Sequence, residues 1–225
     1  FLAPLSFLYS IGVGFRNWLF DVGILPTQKY EIPIISIGNI TVGGTGKTPH
    51  TEYLLSLLHA TYKTAMLSRG YKRLTKGYVL ANNNSNCLEI GDEPFQIKQK
   101  FFDVLVAVDA NRRRGIQHLL NLSEDIKPEV IVLDDAFQHR YVEPGISILL
   151  TDYNRLITDD SLLPVGQLRE SAKNRSRANI VIVTKCPDNA TPIDYRIITK
   201  KLHLYPYQNL YFSKYHYGEI QPVFP

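Results

Sequence analysis

SIGNITVGGTGKTP, residues Ser36 to Pro49, is the stretch whose reading decides the fold. It follows a short apolar run, Ile32 to Ile37, which reads as a buried strand. It ends in Gly46-Lys47-Thr48, and a helical pattern begins beyond Pro49. Strand, glycine-rich turn, Gly-Lys-Thr and helix is the layout of a phosphate-binding P-loop. Glycines let backbone N–H groups turn inward without Cβ clashes. The amides of Gly43, Gly44, Thr45, Gly46, Lys47 and Thr48, with the helix N-terminus behind them, can cradle phosphate oxygens. Lys47 adds a mobile charge for the β- and γ-phosphates, and Thr48 offers a hydroxyl to Mg²⁺. The pattern G-x-x-x-x-G-K-[ST] wants glycine at position 41, where this chain has Thr41. The plainer reading is a loop that merely joins strand to helix. Gly-Lys-Thr at a strand-to-helix junction favours phosphate.

Outward from this loop, the 225 residues suffice for one large domain or a domain with appendages. Hydrophobic residues make up 44% and charged ones 20%, so a sizeable core is expected. A net charge of +4 suits anionic phosphates or a lipid surface, and is too weak to argue for nucleic acid. Cys87 and Cys186 have no metal-ligand spacing and form no disulfide framework, which favours a reducing compartment.

Before the loop, residues 1–25 are strongly apolar. On a helix, Leu5, Leu8, Ile11, Phe15, Trp18, Leu19 and Val22 share one side, and Ser6, Ser10, Asn17 and Asp21 the other. Arg16, Asn17 and Asp21 interrupt the run too early for a spanning helix, which needs roughly 20 apolar residues. Two placements remain open: packed on the domain, or lying in a membrane interface.

After the loop the chain alternates helices and strands. Thr51 to Ala60 reads as a helix with Tyr53, Leu54, Leu57 and Leu58 toward a sheet. Thr64–Ser68, Val104–Val108, Val130–Leu133, Ile146–Leu150 and Ile180–Thr184 read as buried parallel strands. Tyr78–Ala81 and Cys87–Ile90 are expected to pair as a hairpin across Asn82-Asn83-Asn84. Glu93–Phe102, Asn111–Leu122 and Ile193–Leu202 read as helices, and Leu210–Tyr215 as a last strand. The pattern predicts an α/β, P-loop NTPase-like doubly wound sheet, mostly parallel, with helices on both faces and an amphipathic helix in front. Its units are expected to be the helix 1–27, the core 28–205 with a small hairpin insertion near 76–91, and 206–225 as the start of a further portion. Ligands of such sheets sit at the carboxyl ends of the strands.

Several motifs fall at that edge. An apolar strand ends in Asp134-Asp135, a Walker-B-like pair able to hold Mg²⁺. Paired like charges are costly without a cation or hydrogen bonds. Gln138, His139 and Arg140 follow at once. Gly91-Asp92-Glu93-Pro94 opens a helix; Asp92 reads first as its N-cap and alternatively as a base for a substrate hydroxyl. Arg69-Gly70-Tyr71 ends a strand. Arg112-Arg113-Arg114 at a helix start opposes the helix dipole, which points to an anionic partner or a solvated face. Arg169, in the LLPVGQLRE loop, can act on transferred phosphate. Thr184-Lys185 sits where a nucleotide-base pocket is often shaped.

Together, PLSFLYSIGVGFRNWLFDVGIL, SIGNITVGGTGKTP, SRGYKR, GDEP, DAFQHR, LLPVGQLRE and VTK resemble the tetraacyldisaccharide 4′-kinases, the lipid A 4′-kinases of Gram-negative bacteria, in family order over nearly the whole chain. Thr41 is also usual there. The resemblance implies transfer of the γ-phosphate of ATP to the 4′-hydroxyl of a tetraacyldisaccharide 1-phosphate, giving lipid IV A. It implies Lys47, Asp92, Asp135, Arg169 and His139 as catalytic residues, and Tyr71, Glu93 and Gln138 on the substrate side. Thr48 and Asp134 would hold Mg²⁺. A lipid substrate places residues 1–27 against the inner membrane, peripherally, on its cytoplasmic face. The family carries a later Asp-His-His stretch that does not occur in these 225 residues, which implies a truncated member. The rival readings are a nucleotide-switched membrane-targeting ATPase, whose loop usually carries a lysine where Val42 stands, and a soluble small-molecule kinase or ligase, which has no use for so apolar a beginning.

Overall fold

A computed structural model of the chain describes residues 2–216 and 218. The apolar runs form an eight-stranded sheet. Its strands are β1 (Ile34–Gly38), β2 (Thr64–Ser68), β3 (Val79–Leu80), β4 (Leu105–Val108), β5 (Val130–Asp134), β6 (Ile146–Asp152), β7 (Ile180–Thr184) and β8 (Asn209–Phe212). The order is β3-β4-β2-β5-β1-β6-β7-β8, and every pairing is parallel except β3 with β4. Parallel strands put all their carboxyl ends on one edge, and β1 lies at the middle of it.

Alternation along each strand divides the core in two. On one face, Ile37, Val132, Ile148 and Leu150 pack with Leu55 of α2 (Lys47–Leu58) and Ile97 of α4 (Asp92–Lys100). On the other, Ile34, Ile131 and Leu133 pack with Ile116 and Leu119 of α5 (Arg112–Leu120). Farther along that face, Leu149, Val181 and Val183 pack with Ile198 and Leu202 of α6 (Pro192–Leu202).

Four expectations are corrected. No hairpin forms near 76–91. Cys87–Ile90 is a short helix, α3, because the Asn86 side chain accepts from the amides of Leu88 and Glu89 and so caps a turn of helix. Val79–Leu80 pairs instead with Val108 and Ala107 of β4. Tyr53 and Leu57 do not face the sheet: they are 64% and 58% exposed, while Thr51 and Leu55 are buried. In α4 the N-cap is Gly91 rather than Asp92, which occupies the first helical position without a side-chain cap bond. A boundary at 205 also falls inside the sheet, since β8 pairs with β7. Of the proposed last unit, 206–225, residues 217 and 219–225 lie outside the described residues.

The first helix, α1 (Ala3–Asp21), docks the opposite way from an ordinary amphipathic helix. Its polar side meets the protein. Ser6 Oγ donates to Leu162 O at 2.9 Å, and Tyr9 Oη to Arg169 O at 3.0 Å. Asn17 Nδ2 donates to Glu170 Oε2 at 3.2 Å, and Arg140 Nη2 meets Asp21 Oδ1 at 2.6 Å. Leu5, Leu8, Ile11, Phe15 and Trp18 point outward, each at least half exposed. Phe20 is the one large apolar residue of α1 that is buried. No helix among the described residues is long and apolar enough to cross a membrane.

Glu170 is the anchor of this docking. It is 2% exposed, and its Oε2 also accepts from Asn174 Nδ2 at 2.7 Å and Arg177 Nη2 at 2.6 Å. Removing one partner of a buried ion pair strands the other charge. Glu170→Ala is expected to destabilise the chain by about 3–5 kcal/mol in urea unfolding, with α1 becoming the first site of limited proteolysis. An unchanged midpoint would show that α1 does not depend on this carboxylate.

Candidate active site

The loop between β1 and α2 turns sharply into the helix. Gly46 is the N-cap, with φ 81°, in the left-handed region where a side chain is strained. A Cβ there would also lie 1.8 Å from the Tyr215 hydroxyl. Gly43, with φ 117°, needs the same freedom. Asn39 holds the first half of the loop, its Nδ2 donating to Thr45 Oγ1 at 2.6 Å. Val42 N donates to Gln167 O at 2.8 Å, which joins the loop to the segment carrying Arg169. Val42, Gly43 and Gly44 remain exposed.

Three charged side chains meet at the mouth of this loop. Lys47 Nζ lies 3.8 Å from Asp135 Oδ1, and Arg169 Nη2 lies 3.4 Å from the same oxygen. Arg169 Nη2 also reaches the Oδ1 and main-chain oxygen of Asn39. Asp135 is turned toward them by a left-handed backbone, φ 44°. Asp134, its neighbour in sequence, points the other way into the sheet. Its two oxygens accept from Thr51 Oγ1 at 3.1 Å and Ser68 Oγ at 3.3 Å. Burial raises its pKa to about 6, helped by the negative charges of Glu93 and Asp135.

The GDEP turn closes this edge on the β2 side. Gly91, φ 91°, packs so tightly on the Arg69-Gly70-Tyr71 turn that a Cβ would meet Tyr71 O at 2.8 Å. This contact brings Tyr71, Asp92 and Glu93 to one place. Tyr71 is 74% exposed, and Asp92 and Glu93 are also open to solvent. Gln138 Nε2 donates to Asn39 O at 3.2 Å, so it borders the phosphate loop.

His139 sits apart from these groups. Its ring lines a cavity of about 590 Å³ with Phe20, Phe137, Arg140 and Arg177, and no phosphate-loop residue lines that space. Burial lowers its pKa to about 4, with Arg112 and Arg16 adding to the effect, so the ring is neutral at pH 7. Lys185 pairs with Asp152 at 2.7 Å. Both line a cavity of about 150 Å³ together with Thr41 to Thr45, Arg155 and Gln167.

Residues outside the sequence-based set also build the site. Arg112 belongs to a triple arginine that reads as a solvated or anion-facing patch, yet it is 3% exposed. Its guanidinium donates to Asp109 O at 2.7 Å and Asp134 O at 3.1 Å, clamping the ends of β4 and β5 together. Burial lowers its pKa to about 10, against the acids around it. Arg114 pairs with the buried Asp109 at 2.7 Å. Thr51 belongs to no motif and Ser68 only opens SRGYKR, and their place beside β5 is what reveals both as partners of Asp134.

A family model described as tetraacyldisaccharide-1-P 4′-kinase matches residues 1–215. The tetraacyldisaccharide 4′-kinase of Parabacteroides distasonis is 60% identical over 223 residues, covering 99% of this chain and 60% of the relative. That of Bacteroides fragilis strain YCH46 is 61% identical over 224 residues, covering 100% and 59%. The crystal structure of LpxK from Aquifex aeolicus in complex with ATP superposes with a TM-score of 0.74 at 30% identity, covering 99% of this chain and 84% of that one. The chain spans about 60% of the length of these curated relatives. Fold, motif order and a match across nearly all its residues agree: the chain belongs to the tetraacyldisaccharide 4′-kinase family.

Proposed function

We propose that the chain is the nucleotide-binding part of a kinase that moves the γ-phosphate of ATP to the 4′-hydroxyl of a tetraacyldisaccharide 1-phosphate, giving lipid IV A. One observation carries the reading: Lys47 and Arg169 converge on a single oxygen of Asp135 at the mouth of the phosphate loop. Two cations held by one half-buried carboxylate are available to an entering polyphosphate. Phosphoryl transfer depends on positioning and charge neutralisation more than on covalent chemistry. Lys47 and Arg169 offset charge on the transferred group, and Asp135 orients them. Asp92, whose side chain has no hydrogen bond among the described residues, accepts the proton of the sugar hydroxyl. Tyr71, Glu93 and Gln138 border the acceptor side. His139, neutral and half-buried, supports the turn that carries Gln138.

The residues present fit Mg²⁺. Thr48 supplies a hydroxyl and Asp134 a carboxylate, the hard oxygen donors this ion takes alongside phosphate and water. Asp134 is also pushed toward its neutral form by burial and two nearby acids, the state a cation relieves. Bound there, Mg²⁺ supplies neutralisation of phosphate charge.

The outward face of α1 is read as the membrane contact, on the cytoplasmic face of the inner membrane and peripheral. Leu8, Phe15 and Trp18 are exposed while the polar side is consumed by docking. Because α1 bonds to Arg169 and Glu170, it would hold the reacting edge at the lipid surface.

Three outcomes are expected. Incubated with labelled ATP and the lipid disaccharide in detergent, the full-length protein labels lipid, and Asp92→Asn lowers turnover by roughly 10²–10⁴-fold while keeping ATP affinity. ATP hydrolysis without lipid labelling contradicts the kinase reading, and an unchanged Asp92→Asn rate removes Asp92 as base. Next, the Asp134 pKa lies above the ordinary 3.8, so ionisation of this group opposes folding. Its favourable contribution is intact below about pH 4 and is lost as pH rises through about 6, worth about 3 kcal/mol. Metal-free Asp134→Asn should be more stable than wild type at pH 8 by up to that amount, with the gap closing toward pH 4; a gap independent of pH would contradict the assignment. Finally, Phe15→Asp with Trp18→Asp should cut co-sedimentation with anionic vesicles at least tenfold, since each ring contributes about 1.5–3 kcal/mol when buried. Unchanged partitioning would remove α1 as the contact.

A further inference from the structure

Lys47, Thr48 and the glycines describe what the phosphate loop presents, not what holds it in shape. In a trans peptide the C=O and the following N–H point opposite ways. The carbonyl of Thr45 shares a plane with the amide of Gly46, and the carbonyl of Gly46 shares one with the amide of Lys47. A group that fixes either oxygen inside the protein therefore aims the paired amide outward.

Two side chains do this. Thr184, at the end of β7 and fully buried, donates from Oγ1 to Thr45 O at 2.9 Å. His50, in the first turn of α2, places Nδ1 2.7 Å from Gly46 O. A carbonyl can only accept, so Nδ1 carries the proton. Burial lowers the His50 pKa, which keeps the ring neutral and leaves Nε2 to accept from Ser213 Oγ at 2.8 Å. Ser213 is itself fixed: its amide donates to Val183 O at 2.8 Å, and its carbonyl accepts from Cys186 N at 2.9 Å. A continuous path of hydrogen bonds thus runs from the end of β7, through the residue after β8, to the second half of the loop.

We propose that Thr184 and His50 are positioning residues for nucleotide binding, pinning two phosphate-loop carbonyls so that the amides of Gly46 and Lys47 face the β-phosphate. This rests on the reading of the loop as an ATP site. It gives the Thr of Thr-Lys a task distinct from shaping a base pocket. It also ties β8, an edge strand remote from the motifs, to the binding of phosphate.

The test is titration calorimetry of the 225-residue chain with ATP, ADP and AMP. Thr184→Val removes the hydroxyl at nearly constant shape, and Thr184→Ser keeps it. His50→Phe removes both ring nitrogens, and His50→Asn restores a donor near Nδ1. Thr184→Val and His50→Phe should each raise the Kd for ATP and ADP about fivefold to tenfold, the size of one lost hydrogen bond. AMP affinity should hold, and the Ser and Asn variants should return to within about twofold of wild type. Wild-type ATP and ADP affinity in folded His50→Phe and Thr184→Val overturns the proposal. So does a loss that extends equally to AMP, or one that His50→Asn fails to restore, since general loosening would produce either. If Thr184→Val does not fold, the His50 pair decides. Wild-type protein that binds no ATP overturns the kinase reading instead.

Discussion

A loop that receives phosphate on its backbone must turn its amides toward solvent, and its carbonyls must then be satisfied inside the protein. Unpaired buried carbonyls are expensive. In this chain Thr184 takes the oxygen of Thr45, and His50 that of Gly46. Asn39 reaches the Gly43 oxygen and the Thr45 hydroxyl. These donors come from the ends of β1 and β7 and the start of α2. The central position of β1, between β5 and β6, therefore matters beyond core packing. It puts the loop within reach of neighbours that can hold it.

The charge around the loop follows the same logic. Asp134 and Asp135 are adjacent, yet they face different environments because Asp135 adopts a left-handed conformation. Asp134 is sunk among Thr51, Ser68 and the Arg112 clamp. Asp135 stays at the surface between Lys47 and Arg169. One acid is thereby enclosed by hydroxyl donors, and the other lies between two basic side chains. Separation by the backbone, not by distance along the chain, is what gives a pair of like residues two environments.

Much of the scaffold was legible because buried parallel strands need continuous apolar runs, and Val130–Leu133 or Ile180–Thr184 leave no other use for such residues. The phosphate loop was legible because few turns require Gly-Lys-Thr after a strand. Cys87–Ile90 misled because its run is too short for periodicity to separate strand from helix; the Asn86 cap decides it. The phase of α2 misled because the helix begins at Lys47, and Thr51 and Leu55, four apart, take the inward side from Tyr53 and Leu57. Arg112 was illegible because its burial depends on two carbonyls supplied by different strands. His50 is illegible for a similar reason. Its partner Ser213 lies 163 residues away, and no local pattern records that meeting.

The outward apolar face of α1 and the anchored phosphate loop lie at one end of the sheet, joined through the Arg169–Glu170 segment. With these donors already in place on Thr45, Gly46 and Gly43, the loop is built before nucleotide arrives. Amide hydrogen exchange of the metal-free chain, with and without ATP and Mg²⁺, tests this most directly. Slowed exchange at the amides of residues 43–48 on adding nucleotide, with β1 and β7 unchanged, is the predicted result. No added protection at those amides, or protection that first requires β1 and β7 to reorganise, would contradict it.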